Sequence, residues 1–441
     1  MKAKNSGWVS KKLGQIVEMT SGGTPDKKFK EYYDGGTIPW VRSGELDKGV
    51  ITDSEVKITQ AGLDNSSAKI FPKGTLLIAM YGATIGKLAY LGIDAATNQA
   101  ICAMFKNDTI LLEYLYYFLL FQRPNLVKQG VGGAQPNISQ TILKKLLISY
   151  PEDLAEQQRI VTRIEELLSQ LDEGVETLKK TQAQLEVYRQ AVLKEAFEGK
   201  LTAAWRVTNT DTSVANLWEE IKGKRRNNAP TYSLLETIDL PELPSEWKWI
   251  FVGDISSGPE YGTSEKSKKQ GKVPVIRMGN LQNGVIDWDD LVFTDNDDDI
   301  AKLHLQYGDV LFNRTNSPEL VGKTAIYRNE QPAIFAGYLI RINQFDDINP
   351  QYLTYYMNSV IARQYGNLVK TDGVNQSNIN GQKLCSYPFP LCTKEEQDKV
   401  VSELEARLTI CDDIMNSVLM GLTQANAMRQ SILKQAFEGR L

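Results

Sequence analysis

Residues 156–201 and 396–441 are one segment written twice, 240 positions apart and without a gap. The first copy closes on Arg-Gln-Ala-Val-Leu-Lys-Glu-Ala-Phe-Glu-Gly-Lys-Leu at 189–201. The second closes on Arg-Gln-Ser-Ile-Leu-Lys-Gln-Ala-Phe-Glu-Gly-Arg-Leu at 429–441, with nine of thirteen positions identical. A repeat of this length constrains architecture before any local propensity does, because each copy must bury its apolar face in the same way. Each copy also follows a larger, strand-rich block. The chain therefore reads as block, helix, block, helix, which can build a pseudo-twofold object within one polypeptide.

The repeated segments read as long helices, the first from about Leu154 to Phe197. Its apolar residues Ile160, Ile164, Leu167, Leu171, Val175, Leu178, Leu185, Tyr188 and Val192 recur in steps of three, four or seven. Val401, Leu404, Leu408, Cys411, Met415, Val418, Leu422, Ala425 and Ile432 repeat the pattern. Sustained three–four spacing predicts a coiled-coil seam. At 1.5 Å per residue each helix would be on the order of 65 Å long. Acidic first turns and the glycines Gly199 and Gly439 mark the ends. A twofold relation would make the two helices antiparallel and set the blocks at opposite ends.

The blocks 8–150 and 247–390 are weaker copies of each other. Pro39-Trp-Val-Arg42-Ser-Gly44 matches Pro274-Val-Ile-Arg277-Met-Gly279, Gly86-Lys87 echoes Gly322-Lys323, and Asn137-Ile-Ser139 echoes Asn378-Ile-Asn380. Short β-rich runs punctuated by Gly and Asn predict a curved or barrel-like sheet, followed in each block by helical pieces near 111–122 and 350–362. The fold class expected is α+β. Two β-rich domains, 1–150 and 247–391, are separated by the helical segments 151–201 and 392–441. The polar segment 202–246, with a short helix near 213–226, reads as a tether.

At 42% apolar and 24% charged residues the chain has ordinary globular composition. No run is apolar enough for a membrane span, no signal peptide is evident, and Cys102, Cys385, Cys392 and Cys411 form no disulfide or metal pattern. A cytoplasmic location is expected. The charge is uneven: residues 1–150 carry 18 Lys+Arg against 12 Asp+Glu, a net of +6. Residues 240–392 carry 14 against 18, a net of −4. Part of that deficit is Asp295-Asn-Asp-Asp-Asp299, read as a solvated loop. The single histidine, His304, leaves no His-based metal site or acid–base pair. No P-loop, nucleophile elbow, Cys–His pair or Asn-Pro-Pro-Tyr type tetrapeptide is present. No catalytic residue, metal or cofactor is expected: the chain binds and positions.

What it would bind is suggested by polar clusters at strand ends and loops. In the first block these are Thr24 beside Lys27 and Lys28, Arg42 with Ser43, Tyr81 with Thr84 and Lys87, Asn98 with Gln99, and Gln135 with Asn137. In the second they are Tyr261 with Thr263, Arg277 with Asn280, the run Asn313, Arg314, Thr315 and Asn316, then Lys323, and Asn375, Gln376 and Asn378. Arg reads guanine edges and Asn or Gln reads adenine edges through paired hydrogen bonds, while Ser, Thr and Lys beside glycine suit phosphates. The same residue types are also ordinary turn formers. Lys87 and Lys323 have a further alternative, pairing with carboxylates. The second-block run 313–316 is the strongest candidate, because four polar residues interrupt an apolar strand.

With Gln135-Pro-Asn-Ile-Ser139, Leu154-Ala-Glu-Gln-Gln-Arg-Ile160, the 189–202 segment with Trp205-Arg206 and the second copy of each helix, the chain resembles the specificity subunit of type I restriction–modification enzymes over essentially its whole length. The resemblance implies two target recognition domains, each reading one half of a split site in double-stranded DNA. It implies two methyltransferase subunits, which would carry S-adenosylmethionine, and restriction subunits as partners docked through the helices. Arg189, Lys194, Glu198, Arg429, Lys434 and Glu438, repeated near the helix ends, are the docking candidates; packing within the coil would explain their repetition equally. The acidic second block departs from the expected DNA-binding character. A different class of protein, a coiled-coil scaffold whose globular ends bind proteins, is disfavoured by the +6 first block and its Arg, Asn and Gln clusters.

Overall fold

The computed structural model describes residues 7–47, 49–130, 136–209, 213–225, 232 and 238–441. It divides into two compact units. One holds residues up to 179 together with 419–441; the other holds 180–418. Both long helices, Leu154–Phe197 and Lys394–Phe437, run from one unit into the other. Their ends follow from local chemistry repeated at an interval of 240. Asp153 Oδ1 accepts the Ala155 N–H at 3.0 Å, and Thr393 Oγ1 accepts that of Glu396 at 3.3 Å, each covering an orphan donor of the first turn. Gly199 (φ 69°) and Gly439 (φ 68°) adopt the left-handed conformation. The Lys200 and Arg440 amides then fold back onto the Glu195 and Gln435 carbonyls at 2.9 and 2.8 Å, a matched pair of glycine caps.

In the first unit, the helix start 154–179 runs antiparallel to 419–437. Asp172 pairs with Arg429, and further along Leu178 meets Gly421, where a Cβ would lie 3.1 Å from the Leu178 side chain. In the second unit, Arg189 pairs with Asp412 at 2.6 Å and Cys411 Sγ approaches the Leu185 carbonyl at 3.7 Å. Asp172/Asp412 and Arg189/Arg429 are repeat equivalents, so each unit contains the same cross-helix ion pair. The seam is best buried near the blocks, at Ile160, Ile164, Leu404 and Leu408. Tyr188, expected within the seam, is 46% exposed, since a two-helix layer has only one covered face.

The first unit's block has a five-stranded sheet in the order Met19–Ser21, Ile101–Met104, Leu76–Ala79, Leu88–Leu91, Gly49–Ile51. A second, four-stranded sheet runs Lys57–Ile58, Ile38–Val41, Ala95–Thr97, Ile70–Phe71. In the other unit the corresponding sheets have four strands (Ser256–Tyr261, Leu339–Gln344, Val310–Asn313, Thr324–Ile326) and three (Val292–Thr294, Val273–Ile276, Ile334–Phe335). The β-rich runs are thus spread over several sheets per block. Trp8–Lys12 also pairs with Leu147–Pro151 in the first and Lys248–Phe251 with Pro388–Leu391 in the second. The second adds the small sheets Leu281–Gln282 with Val285–Ile286 and Thr315–Asn316 with Ser377–Asn378 and Thr371–Asp372. Both blocks share one parallel pair, with Trp40 facing Ala96 in the first and Val275 facing Ile334 in the second, and the first block has another where Val50 faces Tyr90.

The repeated motif Ala-Phe-Glu-Gly explains how helix and block interlock. Phe437, at the end of the second long helix, packs edge-on against Tyr114 and Phe118 at 5.2 and 5.5 Å. Phe197, at the end of the first, does the same to Tyr352 and Tyr356, both at 5.2 Å. Each block is therefore clasped by the start of the helix that follows it and by the end of the other. Two buried glutamines weld the helix starts. Gln157 donates to the Thr109 and Pro151 carbonyls and accepts the Leu111 N–H. Gln397 donates to the Asp347 and Cys392 carbonyls and accepts the Asn349 N–H. Both are fully buried, so their amides must be paired, and they are.

Segment 202–246 is more than a tether. Its helix Ala215–Lys224 inserts Ile221 into the second unit's core, with Val214 beside it. A second helix, Ala203–Thr208, carries Arg206 onto buried Glu396 at 2.7 Å, with Trp247 5.5 Å from the guanidinium. Among the described residues no helix is long and apolar enough to cross a membrane.

Candidate nucleic-acid interface

The two blocks use one backbone frame to present their candidate residues. In the first, the Asn98 N–H bonds the Val41 carbonyl (3.1 Å), Gly23 bonds Thr97 (2.9 Å), Met80 bonds Ala100 (2.8 Å) and Ile138 bonds Met80 (2.9 Å). In the second, Ala336 bonds Ile276 (2.9 Å), Thr263 bonds Phe335 (2.9 Å), Arg314 bonds Tyr338 (3.0 Å) and Ile379 bonds Arg314 (2.8 Å). Superposing these links equates Arg42 with Arg277, Met80 with Arg314, Tyr81 with Thr315 and Asn137 with Asn378. Gly22 and Gly262 hold the frame closed: a Cβ would sit 2.1 Å from the Thr97 carbonyl oxygen and 2.2 Å from that of Phe335. The Ser21-Gly-Gly-Thr24 stretch is thus a close backbone approach, where only glycine fits.

In the first block this frame gathers Arg42, Asn98, Gln99, Thr24, Tyr81 and Asn137 along one edge. Arg42 is held rather than free. Its guanidinium pairs with Glu55 and, at 3.7 Å, with buried Glu45, whose other role is to accept the Arg42 N–H at 2.8 Å. Thr24 donates to the Gln99 side chain. Tyr81 is 39% exposed and bridges to exposed Asn137. Thr84 donates to the Tyr81 carbonyl at 2.6 Å, and half-buried Ser43 lies beside Arg42. Lys27 and Lys28 are exposed on a flanking loop. Lys87 turns to Asp47 at 2.8 Å, the carboxylate pairing that its sequence left open. Gln135 lies outside the described residues.

In the second block, Arg314 is the centre of the cluster. It lies 5.0 Å from the Tyr261 ring, a cation–π placement, and donates to the Gly337 carbonyl at 3.3 Å. Tyr261 in turn accepts the Gly381 N–H at 2.8 Å. Asn378 donates to Thr315 at 2.7 Å, Asn316 is half-buried nearby, and Asn375 and Gln376 sit exposed on the adjoining turn. Two candidates are committed inside the fold. Asn280 accepts the Arg277 N–H and donates to the Asp287 and Asp289 carbonyls, and buried Thr263 donates to Asp299. Arg277 is tied to Asp290 at 3.1 Å.

Asn313 is fully buried, and among the described residues neither its amide nitrogen nor its oxygen has a hydrogen-bond partner. Its counterpart in the first block is Ala79, equally buried. Lys323 stands opposite it across the strand pair and donates to Gln282 at 2.9 Å. Burial, helped by nearby Arg363, holds the Lys323 amine below its usual range.

The acidic run 295–299 is not a loop. Asn296 caps a helix, Asp297–Leu303, whose N-terminal dipole favours the aspartates. Lys268 pairs with Asp295 at 2.9 Å and Lys272 with Asp297 at 2.7 Å; the Lys268 hydrogen bond holds the Asp295 carboxyl below the usual range. Two of the run's four aspartates are therefore paired locally, while the block keeps its net negative charge. His304 follows this helix, exposed, with its carbonyl accepting Arg341 at 3.0 Å.

Sequence reasoning missed half-exposed Tyr338 and the place of Met80, which occupies the Arg314 position in the first block but is buried in its core. Only the superposition of the two blocks marks them, because the repeat has diverged at these positions. The docking candidates separate. Arg189 and Arg429 are engaged across the helix pairs, as above. Glu198 is buried and bonded to Lys200 at 2.5 Å, and Glu438 faces Arg440 at 3.4 Å. Lys194 and Lys434 remain exposed.

A family model described as the type I restriction modification DNA specificity domain matches residues 5–187 and again 244–424. The chain is 25% identical to the type I restriction enzyme EcoKI specificity subunit of Escherichia coli (strain K12), over 99% of this chain and 89% of that one. It is 30% identical to the MjaIX specificity subunit of Methanocaldococcus jannaschii, over 63% of this chain and 59% of that one. Among solved structures it aligns with a chain from work on complex assembly and conformational transition of the type I R-M system, with a TM-score of 0.71, 17% identity and 99% of both chains covered. It also aligns with the HsdS subunit from Thermoanaerobacter tengcongensis, with a TM-score of 0.52, 17% identity, and 99% and 98% coverage. With both halves of the repeat matched, the chain belongs to the type I restriction modification DNA specificity family.

Proposed function

We propose that this chain is the non-catalytic DNA-recognition subunit of a type I restriction–modification complex, reading a bipartite site with one block per half-site. The observation that carries this is the shared frame with divergent side chains. The same backbone hydrogen bonds place half-buried Asn98 and exposed Gln99 beside buried Met80 in one block, but half-buried Arg314 and Gly337 beside buried Ala336 in the other. Two readers of different half-sites need an invariant scaffold and variable edges; a single symmetric ligand would not. Arg314 is the residue of the second block most suited to a guanine edge, since its fork is steadied by the Tyr261 ring. The first block's Asn98, Gln99 and Asn137 suit adenine.

Adenine methylation, with its S-adenosylmethionine, and cleavage would belong to partner subunits docked along the exposed faces of the long helices, with Lys194 and Lys434 among the contacts. Arg314→Met, which installs the residue of the first block, tests the reading in the complex with methyltransferase subunits. Binding should weaken by about 10–100-fold, equivalent to 1–3 kcal/mol, and only for duplexes carrying the intact second half-site. Equal binding by mutant and parent complexes would remove Arg314 from the readers. Methyl transfer by the purified chain alone would overturn the non-catalytic assignment.

A further inference from the structure

The second block lacks the net positive charge of the first, yet it holds one pocket whose cations are not neutralised. The loop between Asn313 and Gly322 is two residues longer than its counterpart between Ala79 and Gly86, as the equivalent hydrogen bonds Gly322→Asn313 and Gly86→Ala79 show. In the first block the site is closed: Lys87 is paired to Asp47 at 2.8 Å, and Arg123 lies across Gly86, where a Cβ would meet its Cγ at 2.6 Å. In the second block the aspartate is replaced by Gln282, which accepts from Lys323 without neutralising it. Gly322 has only the Phe312 ring near it, at 3.9 Å. A pocket of about 320 Å³ opens there, lined by Lys323, Arg363, Asn367 and Tyr387 together with the loop 318–322.

We infer that this pocket is a subsite for one backbone phosphate of DNA, held by Lys323 and Arg363. The inference rests on the DNA-recognition reading and adds a contact to it. Arg363 lines the pocket beside Gly322, as Arg123 lies near Gly86 in the first block, and among the described residues neither Lys323 nor Arg363 forms an ion pair with a carboxylate. Glu319, exposed and also lining the pocket, forms no ion pair among the described residues. Two like charges sharing a half-buried pocket repel each other, which is consistent with the direction in which Lys323 is shifted. A bound phosphodiester reverses the sign of that interaction and offers oxygens to both groups. Because the surrounding block is acidic, this local pair supplies the counter-charge that the block as a whole does not. The contact carries no sequence information; it would fix the register of the second block on the duplex.

The test uses the full chain assembled with its methyltransferase subunits, fluorescence anisotropy, and two duplexes of equal length, one with the recognised site and one unrelated. Affinity is measured from 50 to 300 mM KCl. Each phosphate contact adds roughly 0.9 to the slope of log affinity against log salt. Lys323→Gln with Arg363→Gln should lower that slope by about 0.9 and weaken both duplexes by the same factor, and Lys323→Arg should keep the parental slope. Lys87→Gln should leave it unchanged. An unchanged slope in the double variant, or a loss confined to the specific duplex, would overturn the subsite while leaving DNA recognition standing. Should the double variant fail to fold, Arg363→Gln alone, at an exposed position, gives the same readout. If the parent complex binds neither duplex, the recognition reading itself fails, and the subsite with it.

Discussion

Replacing Asn313 by alanine should stabilise the second unit. The parent side chain buries an amide with no partner among the described residues, a defect worth about 1–3 kcal/mol. Alanine removes both unpaired atoms. It leaves a void of roughly 40 Å³, costing on the order of 1 kcal/mol at about 24 cal/mol per Å³. The backbone accepts alanine, since Ala79 occupies the equivalent place in the first block and is equally buried. The net expectation is a gain of about 1 kcal/mol, which for a unit of this size raises the melting temperature by roughly 2–4 °C. Scanning calorimetry of the full chain measures it, and hydrogen exchange at the Asn313 and Gly322 amides localises it to this strand pair. Asn313 adjoins Arg314, so the same variant should weaken binding at the second half-site if the amide is kept for recognition, the usual trade between stability and function. A loss of 1 kcal/mol or more would refute the reasoning, because it would mean that the amide is satisfied, for instance by a buried water.

Three further outcomes concern the polar contacts that fix the long helices in place. Gln157→Ala should cost about 2–4 kcal/mol by calorimetry, as it strands the half-buried Leu111 N–H and two carbonyls; Gln397→Ala should do the same in the second unit, and a cost below 0.5 kcal/mol in both would contradict the assigned role. Glu396→Ala leaves Arg206 nearly buried without its partner and should destabilise by about 3–5 kcal/mol, with Arg206→Met added on top recovering much of the loss. Arg189→Asp should cost about 0.5–1 kcal/mol, as the pair is partly exposed, and Asp412→Arg in the same chain should restore it. A partner-binding defect in Arg189→Asp that survives this exchange would return the residue to the docking surface.

The long helices were legible because their signals are local: the three–four apolar rhythm, the acidic first turns and the glycines at 199 and 439 all act within a few residues. The duplication was legible for the same reason. The pairing of Arg189 with Asp412 and of Arg429 with Asp172 was not, because the partner lies more than 200 residues away and nothing in either helix names it. At the candidate interface, the sequence marked Arg314 and its neighbours through polar residues breaking an apolar strand. It could not separate the exposed Asn375 and Gln376 from Asn280, whose amide is consumed by three backbone groups. Nor could it tell Lys87 from Lys323: both follow a glycine, and the difference rests on Asp47 in one block against Gln282 in the other. Likewise the aspartates 295–299 read as a loop because Lys268 and Lys272, their counter-ions, precede them by 25 residues or more.

The most direct test of the central claim is a map of methylated adenines across the genome of a host carrying this chain with its methyltransferase subunits, compared with the same host carrying the Arg314→Met chain. The account predicts one modified motif made of two specific half-sites separated by a non-specific gap. In the variant, methylation should fall or change its base preference within one half only, with the other half and the gap unaltered. A contiguous motif, methylation without sequence preference, or a variant that alters both halves together would contradict the assignment of one block to each half-site.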